Sequence, residues 1–295
     1  MGSQPALKLS CDEAWTESVV GATGPKADPR MRQIFGSMIR HLHDFARENQ
    51  ITVAEWSKAV DMINWSGQMS NDRRNETQLM CDVLGLESLV DNIDSALLAE
   101  AGADYEATKT AILGPFYRKD VPPTANDASI IRTMPSDGQV VWMHGKVTDA
   151  SNGKPIAGAK IDVWQCSTNG LYEQQDPEQA DFNLRGLMTT DENGYYSLYC
   201  LRPVPYPIPH DGPAGKILEA LDRHSWRPAH IHLLIGTQDY APLVTQIFDS
   251  KSKYLVDDSV FAVKEGLTVD FVPLEGNKQA KLELTYDIKL MPKKD

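Results

Sequence analysis

The chain has 295 residues, of which 41% are hydrophobic and 24% are charged, the composition of a globular protein with a sizeable core. Its formal net charge of −12 excludes a general nucleic-acid binder, because such proteins present a positive surface to the phosphates. No stretch approaches the roughly 18 apolar residues of a membrane span, and the N-terminal residues lack the pattern of a secretory signal.

The first hundred residues predict helices. Asp28 followed by Pro29 fits a helix N-cap and first helical position, and the apolar residues that follow recur every three or four positions. Thr52 and Glu55 form a capping box at the start of the next predicted helix. The helical pattern after it is broken near Gly85 into two parts.

The character of the sequence changes near residue 105, where Gly and Pro become frequent. Short runs that predict strands follow: "QVVWMHGKVTD", "AKIDVWQC", "GYYSLYCLR", "AHIHLLIG", "LVTQIFD" and "KLELTYDIKL". "DENG" predicts a turn of the hairpin kind. We therefore predict a mainly β protein with α-helices, in which a helical N-terminal domain (1–105) precedes a β-sandwich domain (106–295).

Two histidines stand one residue apart in "RPAHIHLLI" (227–235). Residues i and i+2 of a strand point to the same face, so His230 and His232 lie side by side if Ile231 and Leu233 face the core. Such a pair can bind a metal ion, and it can equally be part of a solvated strand face.

Two tyrosines in the β region are candidates to join the histidines. Tyr172 follows a turn in "STNGLYEQQD", and Tyr206 lies between prolines in the Pro-rich loop 203–215. Two phenols and two imidazoles would form an N2O2 set, and a phenolate is a hard anionic oxygen that suits Fe(III) better than zinc. Ordinary packing also accounts for a tyrosine after a turn, so the residues alone leave both interpretations open.

Four segments resemble the intradiol ring-cleaving dioxygenases: "ILGPFYRKD", "VWQCSTNGLYEQQD", "LRGLMTTDENGYYSLYCLRPVPYPIPHDGP" and "LDRHSWRPAHIHLLI". They occur in the family's order, and the resemblance covers about residues 75–290. It implies a β-sandwich catalytic domain with non-haem Fe(III) that acts on a small aromatic diol and O2. It also implies a homodimer through the N-terminal helices, with a phospholipid in a tunnel at the dimer interface.

The resemblance assigns roles residue by residue. Four positions match the family's iron ligands: Tyr172, Tyr206, His230 and His232. Arg227 matches an arginine beside the substrate, where a permanent cation can stabilise charge on the ring, and Gln246 matches a glutamine near the iron. In the family mechanism the diol chelates the iron and displaces the axial tyrosinate, here Tyr206. Either Tyr206 or the iron-bound hydroxide accepts a substrate proton. The ring then opens between the two hydroxyl carbons.

The resemblance also indicates which diol is cleaved. Asp82, three residues after Leu79 on one helix face, matches enzymes for hydroxyquinol (1,2,4-trihydroxybenzene), where catechol enzymes commonly carry proline. Ile208 and Pro209 also match the hydroxyquinol branch. The remaining pocket-lining positions are Ile112, Leu113, Gly114, Pro115, Phe116 and Val260. The run "ILGPFY" departs from the "VFGPFF"-like pattern of hydroxyquinol enzymes.

We therefore predict cleavage of hydroxyquinol to 3-hydroxy-cis,cis-muconate, a tautomer of maleylacetate, with cleavage of catechol to cis,cis-muconate as the alternative. A metal-free β-sandwich binding module and a zinc hydrolase built on the histidine pair are the competing classes. Four cysteines without CxxC spacing predict reduced thiols rather than a zinc-thiolate site, in a cytoplasmic protein.

Overall fold

The computed structural model describes residues 11–102 and 106–293. By its contacts the chain forms two compact units, divided between Met62 and Ile63. The helices of the first unit are α1 (Glu13–Gly21), α2 (Pro29–Glu48) and the first part of α3 (Val53–Met69), which includes the boundary. No helix in the described part of the chain has the length and apolar character needed to cross a bilayer.

The predicted helix starts are confirmed. The side chain of Asp28 accepts a hydrogen bond from the Met31 amide at 3.0 Å, at the N-terminus of α2. The backbone amide of Thr52 donates to the Glu55 carboxylate at 2.9 Å, and the Glu55 amide donates to the Thr52 hydroxyl at 3.3 Å. Both caps satisfy amides that have no partner inside the helix.

The second unit contains the rest of the helices and the strands of the described residues. The helices are α4 (Glu76–Val83), α5 (Leu86–Gly102) and α6 (Pro213–Ala220). Gly85 separates α4 from α5 with a φ of 72°, a left-handed conformation that favours glycine, as the sequence predicted. The strands are β1 (Ala128–Ser129), β2 (Val140–Asp149), β3 (Lys160–Trp164), β4 (Arg185–Thr189), β5 (Tyr195–Leu201), β6 (Tyr206–Pro207), β7 (Trp226–Arg227), β8 (His230–Gly236), β9 (Leu243–Asp249), β10 (Thr268–Val269), β11 (Val272–Pro273), β12 (Leu282–Thr285) and β13 (Ile288–Leu290).

These strands form two mixed sheets and a short ribbon. In the described residues, the first sheet has the order β1-β5-β2-β12-β11, with β13 also paired to β2, and the second has the order β10-β9-β8-β3-β4. The ribbon pairs β6 with β7. Apolar side chains from both sheets form one buried cluster, which includes Met143 and Leu198 of the first sheet and Val163 and Leu233 of the second. The two sheets therefore pack as a sandwich, as predicted.

The second sheet is buried on both faces, and the candidate site lies on its outer face. On β8, Ile231 and Leu233 belong to the inter-sheet core, so His230 and His232 point to the outer face. Both histidines are nevertheless buried, at 1% and 2% exposure, so the alternative of a solvated strand face is wrong. A second apolar cluster covers this outer face with residues of α4, α6 and the segment 111–117.

Two local predictions differ from the structure. "DENG" forms a tight turn, with the Gly194 amide donating to the Asp191 carbonyl at 3.0 Å, but it joins β4 and β5, which lie in different sheets. The loop 203–215 is interrupted by β6, and its end forms the start of α6 at Pro213. Proline suits the first turn of a helix because its missing N–H has no partner there.

Candidate metal centre and substrate pocket

Four side chains predicted as metal ligands converge on the outer face of the second sheet. The phenol oxygens of Tyr172 and Tyr206 are 3.4 Å apart, and the Nε2 atoms of His230 and His232 are 3.2 Å apart. The rings of Tyr206 and His230 have centroids 5.4 Å apart, and those of Tyr172 and His232 are 6.4 Å apart. The structure thus brings together two oxygen and two nitrogen donors from three separate segments of the chain.

Local structure explains how the tyrosines reach the histidines. Tyr206 lies on β6 and pairs with Arg227 of β7, three residues before His230. Tyr172 follows a tight turn in which the Gly170 amide donates to the Ser167 carbonyl at 2.9 Å. Gly170 has a φ of 79°, and a Cβ at this position would lie 3.1 Å from the Cβ of Tyr206. Glycine therefore permits the close approach of the two tyrosine-bearing segments.

The imidazole of His230 is oriented by its neighbours. Its Nδ1 is 2.7 Å from the Pro228 carbonyl, which can only accept, so Nδ1 carries the proton and Nε2 presents a lone pair. Arg227 Nη1 donates to that Nε2 at 3.0 Å. The Nδ1 of His232 is buried and has no hydrogen-bond partner among the described residues.

Burial keeps these four groups uncharged when no cation is present. It raises the pKa of Tyr172 well above its usual value, with a further contribution from Tyr206, and it raises the pKa of Tyr206 against the opposing effect of Arg227. Burial and the nearby Arg227 lower the pKa of His230 well below its usual range, and burial and His230 do the same for His232. Neutral imidazoles are the ligand form, whereas the phenols must lose protons as a metal binds.

Arg227 is held by a buried network. Its Nη2 donates to the Gln246 side-chain oxygen at 2.8 Å, and its Nε donates to Asp258 Oδ1 at 3.1 Å. Burial alone would lower the pKa of Arg227, but Asp258 and Tyr206 raise it above its usual value, so the guanidinium stays cationic. Gln246 also donates to the Ile112 carbonyl at 2.6 Å, which connects the network to the pocket-lining segment.

The donor set fits a hard trivalent cation. The described residues contain no group of three or more His, Cys, Asp or Glu side chains that could hold a metal ion, and the cysteines there are unpaired. The polar atoms that face each other are two imidazole nitrogens and two phenol oxygens, and Arg227 donates a hydrogen bond to one of the nitrogens. Phenolate oxygen stabilises Fe(III), and such a set differs from the three-ligand arrangements that are usual for catalytic zinc.

Several of the predicted pocket residues belong to the same apolar cluster as the two tyrosines. They are Leu79, Ile112, Phe116, Ile208 and Val260. The Phe116 ring packs on Tyr172 with centroids 4.7 Å apart. A Cβ added to Gly114 would lie 3.1 Å from the imidazole of His232. Leu113 packs against the cluster while partly exposed, and Pro115 and Pro209 are half-buried outside it.

Asp82 is buried in an unusual environment. It is 1% exposed, and neither carboxyl oxygen has a hydrogen-bond donor partner among the described residues. Burial, followed by its contact with Glu87, raises the pKa of Asp82 to about 10. A carboxyl with this pKa is protonated at neutral pH.

Sequence reasoning missed three residues of this region. Asp258 supports Arg227, Glu87 contacts Asp82 and accepts a hydrogen bond from the Leu113 amide at 3.0 Å, and Trp164 stacks on His232. Trp164 had a signal in the sequence, because strand alternation puts it on the opposite face from the apolar Val163. Asp258 and Glu87 act over long sequence separations and have no local pattern.

Comparisons with known proteins agree with this geometry. Residues 112–292 match a family model described as dioxygenase, and residues 28–102 match one described as catechol dioxygenase N terminus. The intradiol ring-cleavage dioxygenase prcA of Aspergillus niger is 46% identical over 96% of this chain and 89% of its own length. The catechol 1,2-dioxygenase of Candida albicans is also 46% identical, over 94% of this chain and 92% of its own.

A solved structure extends the comparison to the fold. The hydroxyquinol 1,2-dioxygenase of Pseudomonas putida DLL-E4 superposes with a TM-score of 0.81 at 35% identity, over 95% of this chain and 98% of that one. Both the helical and the sheet regions are thus shared with enzymes that cleave aromatic rings. The chain belongs to the intradiol ring-cleavage dioxygenases of the hydroxyquinol and catechol type, and it is an enzyme of this class.

Proposed function

We propose that this chain cleaves hydroxyquinol with O2 to 3-hydroxy-cis,cis-muconate, using non-haem Fe(III). The buried carboxyl of Asp82, with no donor partner among the described residues, carries the choice of substrate. An unpaired buried polar group costs about 1–3 kcal/mol unless a ligand satisfies it, and the third hydroxyl of hydroxyquinol is a suitable partner. Because Asp82 is protonated, it can donate to that hydroxyl as well as accept from it.

We assign the metal to the four converging donors: Tyr172, Tyr206, His230 and His232. These four side chains would hold the ferric ion, which would supply the Lewis acidity that makes a chelating diol reactive toward O2. Tyr206 is the candidate proton acceptor, since its phenol oxygen lies beside that of Tyr172 and its segment is paired with Arg227. A tyrosinate takes a proton from a phenolic substrate readily, because both groups have a pKa near 10 in water.

The role we propose for Arg227 is electrostatic. A buried guanidinium held by Asp258 and Gln246 presents a fixed positive charge beside the histidines. Such preorganised charge stabilises negative charge that develops on the substrate during reaction. The apolar residues around the site exclude bulk water, which strengthens this effect.

The N-terminal helices are the proposed dimer contact. The division into a helical domain (1–105) and a catalytic domain (106–295) is supported by the separate family matches to 28–102 and 112–292. Helix α2 exposes a row of large apolar side chains at helical spacing: Met31, Ile34, Phe35, Met38, Leu42 and Phe45. A second copy of the chain, with the lipid that the family resemblance implies, would cover this surface. Light scattering after size-exclusion chromatography tests the dimer.

Cleavage of catechol to cis,cis-muconate is the second candidate. It is favoured by the 46% identity to a protein named catechol 1,2-dioxygenase, which exceeds the 35% identity to the hydroxyquinol enzyme of known structure. Hydroxyquinol cleavage and catechol cleavage would use the same metal centre. They differ in whether the substrate has a third hydroxyl for Asp82 to contact.

Oxygen uptake on a panel of diols tests the proposal. The panel contains hydroxyquinol, catechol, 4-methylcatechol and 3,4-dihydroxybenzoate, with product absorbance recorded in parallel. The highest kcat/KM is expected for hydroxyquinol, with the spectrum of 3-hydroxymuconate or maleylacetate as product. A higher kcat/KM for catechol, with cis,cis-muconate as product, would establish the second candidate instead.

A further inference from the structure

The two histidines of the candidate metal centre are supported differently. His230 donates its Nδ1 proton to the Pro228 carbonyl at 2.7 Å. Metal-binding histidines usually donate their second N–H in this way, which fixes the plane of the ring. His232 is equally buried, but its Nδ1 has no partner in the part of the chain that the structure describes. Its Nε2 faces the Nε2 of His230 at 3.2 Å, which is the side a metal ion would bind, so a metal-bound His232 needs another contact to fix the plane of its ring.

Trp164 provides the alternative contact. Its ring lies parallel to the imidazole of His232, with centroids 4.8 Å apart and an angle of 9° between the planes. The two residues are direct partners on the neighbouring strands β3 and β8, so the backbone register aligns the rings. Trp164 is 1% exposed and packs on Tyr117 at 5.2 Å, so its own ring is held firmly.

We propose that Trp164 is a positioning residue, which fixes the plane of His232 by ring stacking in place of the missing hydrogen bond. This inference rests on His232 being a metal ligand, as in the proposed function. The stack restrains the tilt of the imidazole and leaves its Nδ1 without an acceptor.

A merely structural role for Trp164 makes a different prediction. If the side chain only filled space, any apolar residue of suitable volume would serve. If stacking matters, a flat ring is required. Trp164→Phe keeps a flat ring, and its loss of Nε1 removes no hydrogen bond, because that atom has no partner among the described residues. Trp164→Leu keeps the site apolar and removes the ring.

The chain offers a matched control in a second tryptophan–histidine pair. Trp142 packs on His144 with centroids 4.0 Å apart, on the other large sheet. His144 contacts Glu283 at 2.8 Å and is not among the proposed metal ligands. Trp142→Leu removes a tryptophan–histidine ring contact away from the site, together with the hydrogen bond from Trp142 Nε1 to Asp127, and is expected to leave iron retention unchanged.

Two measurements test the inference on the holoprotein and the apoprotein. The first is the rate at which iron is lost to excess chelator, followed by the visible band. Trp164→Leu should lose iron on the order of 10-fold faster than the parent, while Trp164→Phe and Trp142→Leu stay close to it. The second is the crystal structure of each apoprotein, in which the ring of His232 should leave its present plane only in Trp164→Leu.

Equal iron loss by the Leu and Phe variants, with the ring of His232 unmoved in both, would overturn the inference. If Trp164→Leu does not fold, Trp164→Met, whose flexible side chain fills the space, replaces it with the same expectations. If the parent itself binds no iron, the proposed function fails. The orientation of His232 in the apoprotein variants still decides the role of Trp164 in that case.

Discussion

Asp258 holds Arg227 through two hydrogen bonds, from Nε at 3.1 Å and from Nη2 at 3.2 Å, and both side chains are 2% exposed. The carboxylate also accepts from the backbone amides of Val260 and Ala262, at 3.3 and 3.1 Å. The Asp258 side chain thus holds the Arg227 guanidinium beside the histidines. It also holds the loop that carries the predicted pocket residue Val260.

Asp258→Ala should lower both stability and activity. Breaking a buried ion pair leaves an uncompensated charge and costs about 3–5 kcal/mol of unfolding free energy. The matched control is the neighbouring Asp257→Asn, since Asp257 contacts His224 at the surface and is 52% exposed. Chemical denaturation and kcat/KM on the preferred diol check both variants. Equal losses of unfolding free energy and of kcat/KM in the two variants would mean that Asp258 does not support Arg227.

Asp82→Ala should change the preference between diols. It removes the group proposed to meet the third hydroxyl, so kcat/KM for hydroxyquinol should fall about 10- to 100-fold more than kcat/KM for catechol. Asp82→Asn retains a neutral hydrogen-bonding group of the same shape and should keep more of the preference. Oxygen-uptake kinetics on both diols give the ratio. Equal losses on the two substrates would remove Asp82 from the choice of substrate.

The pH dependence of stability should also report on Asp82. Its folded pKa of about 10 lies above the ordinary value of 3.8, so its contribution to stability is complete below pH 3.8 and is lost as the pH rises toward 10. Asp82→Asn does not titrate. The metal-free variant should therefore gain stability relative to the metal-free parent as the pH rises, by at most about 1.4 kcal/mol per pH unit. Chemical denaturation of the metal-free parent and variant at pH 5, 7 and 9 gives the difference between their unfolding free energies. A difference that stays constant with pH would mean that Asp82 is already ionised in the folded parent.

Glu76 should be essential for stability although it lies outside the site. It is fully buried, pairs with Arg74 at 2.6 Å and accepts from the Ala214 amide at 3.1 Å, which connects α4 to α6. Glu76→Ala leaves the buried Ala214 amide without its acceptor, while Arg74 keeps its pair with Asp211, and the change should cost about 1–3 kcal/mol. Glu219→Ala breaks only the exposed pair with Lys216 and should leave the denaturation midpoint unchanged. A similar midpoint for both variants would contradict this role.

The features that the sequence predicted correctly depend on short-range rules. The caps at Asp28 and Thr52 require only a hydrogen bond within three residues, and the shared face of His230 and His232 follows from strand alternation. The alternation also identified the apolar core side of β8. Tyr172 and Tyr206 were candidates by residue type, but only the family resemblance assigned them together with the histidines.

The features that were missed depend on tertiary structure. The turn at 191–194 has hairpin chemistry, yet packing directs its two strands into different sheets. The contact of Glu87 with Asp82 and the bond from Leu113 to Glu87 require α4, α5 and the segment 111–117 to be folded together. The chain's contacts place α4 and α5 in one compact unit with the sheets, and the domain boundary near residue 105 stays a prediction.

Metal analysis combined with visible spectroscopy shows directly whether two phenolates and two imidazoles hold one ferric ion. The purified protein should contain iron and show a broad tyrosinate-to-Fe(III) charge-transfer band. Chelation should abolish the band, and Tyr206→Phe should shift it and weaken iron binding. A protein that contains zinc without a visible band, or a band unchanged in Tyr206→Phe, would contradict the proposed centre.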